Sequence, residues 1–326
     1  MKSIAFFNNK GGVGKTTLLC NVAAYFSSEY NKRVLIIDAD PQCNSTQYIL
    51  DDHQVDFFYE QRRGFTLYDI MDPLYQGSGY SEDARFYRAQ NFGVGLLAGD
   101  PRISLMEDLL SEDWGAASAG RPRGIKTSLV FKDLLSKCTD YDLVFFDVGP
   151  SLGSINRSIL LSTDYFLSPL STDIFSIRAS ENIATWMKSW QRQWSNGVDT
   201  AISGGYKFDK TSSEVKFAGY VTQQYVQKSV RGTKRPVKAY DQILQTVDKK
   251  IREQFGKFTP IAERKDYDLG SIPNLYSLIP MSQRAHVPIF KLKSEHGVVG
   301  AHFSKVAESK ELFHSICNRI LENIDD

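Results

Sequence analysis

Eight consecutive residues, Lys10-Gly11-Gly12-Val13-Gly14-Lys15-Thr16-Thr17, hold three glycines, two lysines and two threonines. Three glycines let a backbone curl so that its N–H groups converge on one point, and a polyphosphate is the anion such a nest holds. Lys15 would add a full positive charge near the terminal phosphates, and Thr16 would offer a hydroxyl to a magnesium ion. Before this stretch runs Ser3-Ile4-Ala5-Phe6-Phe7, apolar enough for a buried strand. After it, Leu18, Leu19, Val22, Ala23 and Phe26 repeat at i, i+1, i+4, i+5 and i+8, one face of a helix ending near Tyr30-Asn31. Strand, glycine-rich turn and helix together make the setting a P-loop requires.

Two further strands end in carboxylates. Arg33-Val34-Leu35-Ile36-Ile37 runs into Asp38-Ala39-Asp40-Pro41-Gln42, and Leu143-Val144-Phe145-Phe146 runs into Asp147. The carboxyl ends of parallel strands are where ligands sit in open α/β sheets. Asp147 then reads as a Walker B residue that holds magnesium, commonly through water.

The usual P-loop begins with glycine, but Asn9 stands at that position, and a second lysine, Lys10, follows it. This K-G-G-V-G-K-T-T form resembles the deviant Walker A loop of the ParA/MinD ATPases. The D-x-D-P-Q at 38–42 resembles that family's switch I. Val148-Gly149-Pro150-Ser151-Leu152-Gly153 resembles its switch II, with Gly149 where a proline is usual. The resemblance implies ATP and Mg2+ as cofactors, held by Gly11, Gly12, Val13, Gly14, Lys15, Thr16 and Thr17. It implies metal roles for Thr16, Asp38 and Asp147, and catalytic roles for Lys10, Lys15 and Asp40. Lys10 would reach a partner chain's nucleotide, and Asp40 would position the attacking water. The strand Phe217–Thr222 would face adenine at its end, making Gln223 and Gln224 candidates to read the base. Asn274–Pro280 reads as the last strand, similar to the family's "V-I-P-R-N", with Pro280 as a base contact. Asn156 matches a recurrent asparagine of the helix after switch II.

At 326 residues with 42% apolar composition, the chain can bury a large core. It shows no run of 18 apolar residues and no secretory leader. Cys20, Cys43, Cys138 and Cys317 are scattered, which argues against a zinc site or disulfide framework and fits a reducing cytosol. The expected fold is one α/β domain over 1–326: a doubly wound, mostly parallel sheet of the P-loop NTPase, deviant Walker A type. Insertions are expected near 51–92, 195–215 and 228–270. Thr66–Met71 and Ser104–Leu110 read as helices, Phe92–Gly99 as a strand and turn, 115–124 as a loop, and 195–215 as a loop or hairpin insertion. Trp186, Trp190 and Trp194 form a helical stripe, expected to face the core, with a partner or dimer surface as the alternative. With no helix-turn-helix region before the P-loop, the chain resembles the short ParA/Soj type.

Charge is unevenly spread. The net is +1, yet residues 216–265 hold 12 Lys/Arg against 4 Asp/Glu. Such a patch attracts phosphate backbones without reading sequence. Candidate DNA contacts are Lys228, Arg231, Lys234, Arg235, Lys238, Lys249, Lys250 and Arg252. The C-terminal helix carries Phe313, Ile316, Ile320 and Ile324 on one face and ends in acid, so it should pack on the domain rather than bind anionic lipid. The expected protein is a cytoplasmic, nucleoid-associated ATPase. It would form an ATP-dependent homodimer, bind DNA non-specifically, answer to a hydrolysis-stimulating partner protein and avoid membranes. The alternative is a scaffold ATPase whose dimer binds a protein partner instead of DNA.

Overall fold

The computed structural model describes the backbone of residues 1–171, 174–208, 215–225, 227–230, 233–236, 238–255 and 266–324, with side chains in these ranges except 174–180, 224–245 and 247. The chain runs β1 (Lys2–Phe6), α1 (Lys15–Glu29), β2 (Val34–Ala39), α2 (Asn44–Ile49), α3 (Asp52–Tyr59), α4 (Leu67–Tyr75), β3 (Tyr87–Ala89) and β4 (Val94–Leu97). After a 3-10 turn at Pro101–Leu105 come α5 (Met106–Ser118), α6 (Pro122–Ser128), α7 (Val130–Ser136), β5 (Leu143–Val148), α8 (Ser154–Ser162), β6 (Tyr165–Ser171) and α9 (Ile174–Ser203). It closes with β7 (Lys216–Tyr225), the β8 (Gln227–Val230) and β9 (Thr233–Pro236) hairpin, α10 (Lys238–Phe255), β10 (Asp268–Pro273), α11 (Leu278–Ala285) and α12 (His302–Ile324).

Eight strands form one sheet in the order β10-β7-β6-β1-β5-β2-β4-β3. Every pairing in it is parallel except β3 with β4. The central strands are buried along their whole length because helices cover both faces. Side chains alternate across the sheet: Ala5, Phe7, Val144 and Phe146 join the core under α4 to α9, while Ile4, Phe6 and Phe145 join the core under α1 and α12. This is the doubly wound architecture read from the sequence. Phe313, Ile316, Ile320 and Ile324 are buried in the second core, so the apolar face of α12 is spent on packing. Among the described residues no helix is long and apolar enough to cross a membrane.

Three local readings are corrected. The last strand is β10, and Leu278–Ala285 is helix rather than strand. Pro273 ends the strand, Asn274 Oδ1 takes the Tyr276 amide at 2.8 Å, and Tyr276 adopts a left-handed φ of 44° that turns the chain. Pro280 then falls in the helix's first turn, where a missing N–H costs nothing. Residues 115–124 are not a loop: Ala116 and Ala117 prolong α5, Gly120 at φ 76° stops it, and Pro122 opens α6. Residues 195–203 continue α9. Burial of Trp194, Val198 and Ala201 outweighs the poor propensity of the serines and glycine, and a Cβ at Gly197 would lie 2.0 Å from the Ala117 carbonyl oxygen.

The tryptophan stripe divides. Trp190 and Trp194 are core residues, whereas Trp186 is half exposed. Trp194 stacks on Trp114 with centroids 6.1 Å apart, and the Trp114 indole donates to Gln193 Oε1 at 3.0 Å. Trp194→Ala should therefore lower unfolding free energy by about 3–5 kcal/mol, against roughly 0.5 kcal/mol or less for Trp186→Ala. Urea denaturation followed by far-ultraviolet circular dichroism checks both.

Candidate functional site

The glycine-rich turn sits at the carboxyl end of β1 and opens α1. Gly12 and Gly14 take φ of 73° and 76°, conformations that side chains resist. The helix begins with no side-chain cap and no acidic residue in its first turn. Its first amides and its dipole are thus left for an external anion. A cavity of about 570 Å³ opens there, lined by the whole turn from Lys10 to Thr17.

Below the turn lies a buried charge cluster. Asp38 and Asp147 are register partners on the parallel pair β2 and β5. The Lys15 ammonium donates to Asp147 Oδ1 at 3.0 Å and lies 3.9 Å from Asp40 Oδ2. Thr16 Oγ1 donates to Asp147 Oδ2 at 2.8 Å, and Ser45 donates to the same oxygen. Asp40 lines the cavity, and its Oδ1 takes the Gln42 amide at 2.9 Å. Asp38 is withdrawn beneath the wall. Its Oδ2 accepts from the Thr46 amide at 2.8 Å and the Thr46 hydroxyl at 2.7 Å, and Oδ1 accepts from the Asp40 amide at 3.3 Å. Asp38, expected as a metal residue, here has both oxygens engaged by the segment that follows it.

Among the described residues no group of three His, Cys, Asp or Glu is placed to hold a metal. Magnesium does not need one, because it keeps waters and binds through one or two carboxylates plus phosphate oxygens. Thr16 and Asp147 are the pair that fits. A nucleotide fits on a second ground. The buried Gln223 Nε2 has no hydrogen-bond partner, and its side chain lies so close to Gly14 that a Cβ there would come within 2.5 Å of Oε1. Gln223 also lines an apolar recess of about 240 Å³ behind the turn, with Ile272, Pro273, Leu275 and Phe313.

Lys10 also lines the larger cavity; its ammonium donates to Ser171 Oγ at 3.0 Å, on the end of β6. Its amide donates to Asn8 Oδ1 at 3.0 Å, and the buried Asn8 Nδ2 donates to the Pro169 carbonyl at 2.6 Å. Switch II is held from two sides. Asn156 Nδ2 donates to the carbonyls of Gly149 at 2.7 Å and Ser151 at 2.8 Å, which restrains a segment where glycine, in place of the usual proline, would allow more backbone freedom. Glu107 accepts from the Ser154 amide at 2.6 Å and so caps α8.

Pro280 is exposed on α11 and lines neither cavity. The Gln224 side chain lies outside the described residues, as do those of Lys228, Arg231, Lys234, Arg235 and Lys238. Of the described basic candidates, Lys249 is exposed with no ion-pair partner among the described residues. Lys250 pairs with Glu181 at 3.6 Å and Glu253 at 3.9 Å, and Arg252 with Asp248 at 2.7 Å and Asp266 at 2.8 Å. Sequence reading missed Asn8, Ser45, Thr46, Glu107 and the wall residues Tyr48 and Gln283. Only Asn44 and Gln47 carried a signal, as polar residues one helical turn apart just after switch I, and both line the cavity.

Comparison with known proteins agrees with this geometry. The AAA domain family model AAA_31 matches residues 1–200. The chromosome-partitioning ATPase Soj of Treponema pallidum is 28% identical over 225 residues, 68% of this chain and 77% of that protein. The chain belongs to the ParA/MinD-type ATPase family. Protein DIP2308 from Corynebacterium diphtheriae superposes with a TM-score of 0.75 at 29% identity, covering 99% of both chains. An ATP complex of a Cyanothece McdA variant shares the ParA/MinD fold at a TM-score of 0.64 and 15% identity, covering 98% of this chain and 96% of that one.

Burial and the neighbouring Asp147 push the Asp38 carboxyl up to about 7. Between about pH 4 and 7 the folded chain keeps a proton there that the unfolded chain has released. Stability of the nucleotide-free protein should then fall as pH rises through that window, by on the order of 1 kcal/mol per pH unit. Asp38→Asn keeps an oxygen for Thr46 and cannot ionise, so it should flatten the slope. Thermal melts at pH 5, 6, 7 and 8 compare the two.

Proposed function

We propose that this chain is a magnesium-dependent ATPase that works as a two-chain switch in DNA segregation or cargo positioning. One observation carries the reading: two lysines of one turn serve two different places. Lys15 is buried over Asp147 and Asp40, whereas Lys10 stands on the rim of the same cavity. A single active site has no evident use for the second lysine, while two cavities closed face to face do.

In this reading the amides of residues 11–16 cradle the phosphates of ATP, and Lys15 leaves its carboxylates to meet them. Thr16 and Asp147 hold magnesium, which neutralises charge on the β- and γ-oxygens when bound. Asp40, already on the cavity wall and steadied by the Gln42 amide, orients the attacking water. Lys10 of each chain neutralises charge on the other's phosphates. Gln223 and the recess behind the turn take the base. Gln42, Asn44, Gln47 and Gln283 give the wall its polar rim.

The surface from β8 to α10 is the proposed DNA contact. Closing two chains would join two weak basic patches into one strong one through effective concentration. ATP state would then set residence on DNA, and a partner protein that hastens hydrolysis would end it. The second reading, an acidic protein partner at this surface, draws on the ion pairs that already neutralise Lys250 and Arg252.

Asp40→Ala should retain analogue-dependent dimerisation and lose hydrolysis by about a hundred-fold or more, measured by phosphate release. For DNA, affinity with the ATP analogue should fall linearly in log K against log salt. Lys249→Ala should flatten that slope more than Arg252→Ala, because Arg252 is already paired. Salt-dependent fluorescence anisotropy on two unrelated duplexes decides it; no binding with the analogue would move the surface to a protein partner.

A further inference from the structure

Three consecutive residues at the start of α2 face three different things. Asn44 lines the phosphate cavity, Ser45 reaches Asp147, and Thr46 reaches Asp38. Ser45 and Asp147 are both wholly buried. Asp147 Oδ1 takes the Lys15 ammonium at 3.0 Å. Its Oδ2 takes two hydroxyls, Thr16 from α1 at 2.8 Å and Ser45 from α2. A hydroxyl has one proton to give, and here a carboxylate oxygen receives it. The fully buried Cys20 thiol is a neighbour of the same hydroxyl, but burial pushes its ionisation up, so it offers no competing charge.

A carboxylate turns about its last bond, whose torsion has only broad preferences. Two hydroxyls on one oxygen, brought from two helices, fix its plane and leave Oδ1 as the oxygen that meets a cation. In this structure that cation is Lys15. We propose that Ser45 is a positioning residue for the metal, its hydroxyl holding the Asp147 carboxylate in place for magnesium. This inference rests on the reading of Thr16 and Asp147 as the magnesium pair. Side chains that brace a metal-binding group from behind commonly carry about ten- to a hundred-fold of the metal affinity. The Ser45 bond also draws charge off the carboxylate, but it does so at Oδ2, so orientation outweighs that loss. Ser45 comes from outside the phosphate-binding turn, so its hold on Asp147 does not depend on where Lys15 goes.

The experiment uses the full chain saturated with ADP, and manganese ion as a paramagnetic stand-in for magnesium. The electron spin resonance signal of free manganese gives the metal affinity, and ADP affinity is measured separately in EDTA. Wild type is compared with Ser45→Ala, Ser45→Thr and Asp147→Asn. Ser45→Ala leaves Asp147 Oδ2 with Thr16, so no oxygen is stranded, and alanine suits a helix. It should bind manganese about ten-fold more weakly, with its ADP affinity in EDTA unchanged. Ser45→Thr, which keeps the hydroxyl, should recover most of the loss. Asp147→Asn should lose the tight metal site. If Asp147→Asn loses that site but Ser45→Ala binds manganese as well as wild type or better, the positioning role is overturned and the metal pair stands. An equal loss of ADP affinity in EDTA, or a Ser45→Thr protein as weak as Ser45→Ala, overturns it too, since the hydroxyl would then not be acting through the metal. If Asp147→Asn binds manganese like wild type, the magnesium pair falls and this inference with it.

Discussion

Two carboxylates in register on adjacent buried strands cannot both hold a charge unless something cationic stands over them. Asp38 and Asp147 are that pair, on β2 and β5 at the centre of the sheet. Lys15 and the hydroxyls of Thr16 and Ser45 answer Asp147, while Thr46 and the Asp40 amide answer Asp38. Burial, and after it the Asp147 charge, raise the Asp38 carboxyl toward neutrality. The site is thus built around a deficit of positive charge, in the place where a divalent ion would complete it.

The same arrangement explains why the loop above must be glycine. Lys15 can reach Asp147 only if α1 starts directly over the end of β5, and that start requires left-handed backbone at Gly12 and Gly14. A side chain at Gly14 would also strike Gln223 from β7. One turn is therefore pressed between a carboxylate on β5 and an amide on β7. Its geometry is fixed by the sheet before any ligand arrives, and that preorganisation is what electrostatic catalysis demands.

This division of labour also decides what could be read without coordinates. The turn, its two lysines and the strand-end aspartates are contiguous signals, each made of residues whose types have few other uses together. The core faces of α1 and α12 followed from period alone. Glu107, by contrast, reaches the α8 N-terminus from 47 positions away, and Ser45 reaches Asp147 across 102; no local pattern announces either. The misread last strand failed for a related reason. Leu275 to Pro280 is apolar enough for a strand, but the Asn274 side chain and the left-handed Tyr276 redirect it, and such turn chemistry is visible only as a choice among several. Residues 195–203 failed because packing against α5, through Gly197, overrode weak propensity.

What remains is how a change at the phosphates could be felt elsewhere. Switch II ends in the N-terminus of α8, and α8 carries Arg157 one turn inside. That guanidinium lies 4.3 Å over the Trp114 ring and 5.9 Å from the Trp190 ring centre, joining α8 to α5 and α9. Burial draws the Arg157 guanidinium down to about 10, opposed by Glu107, the same residue that caps the helix. Any displacement of Gly149 to Gly153 must therefore break the Asn156 bonds or carry α8 with it, and carrying α8 pulls on the Glu107 bonds. Carrying α8 shifts a cation stacked on two tryptophans, and a close-packed core of that kind passes on small shifts rather than absorbing them. The half-exposed Trp186 sits one turn from Trp190 on α9 and tilts against it with ring centres 6.3 Å apart. The path from phosphate site to outer surface is thus a continuous series of contacts.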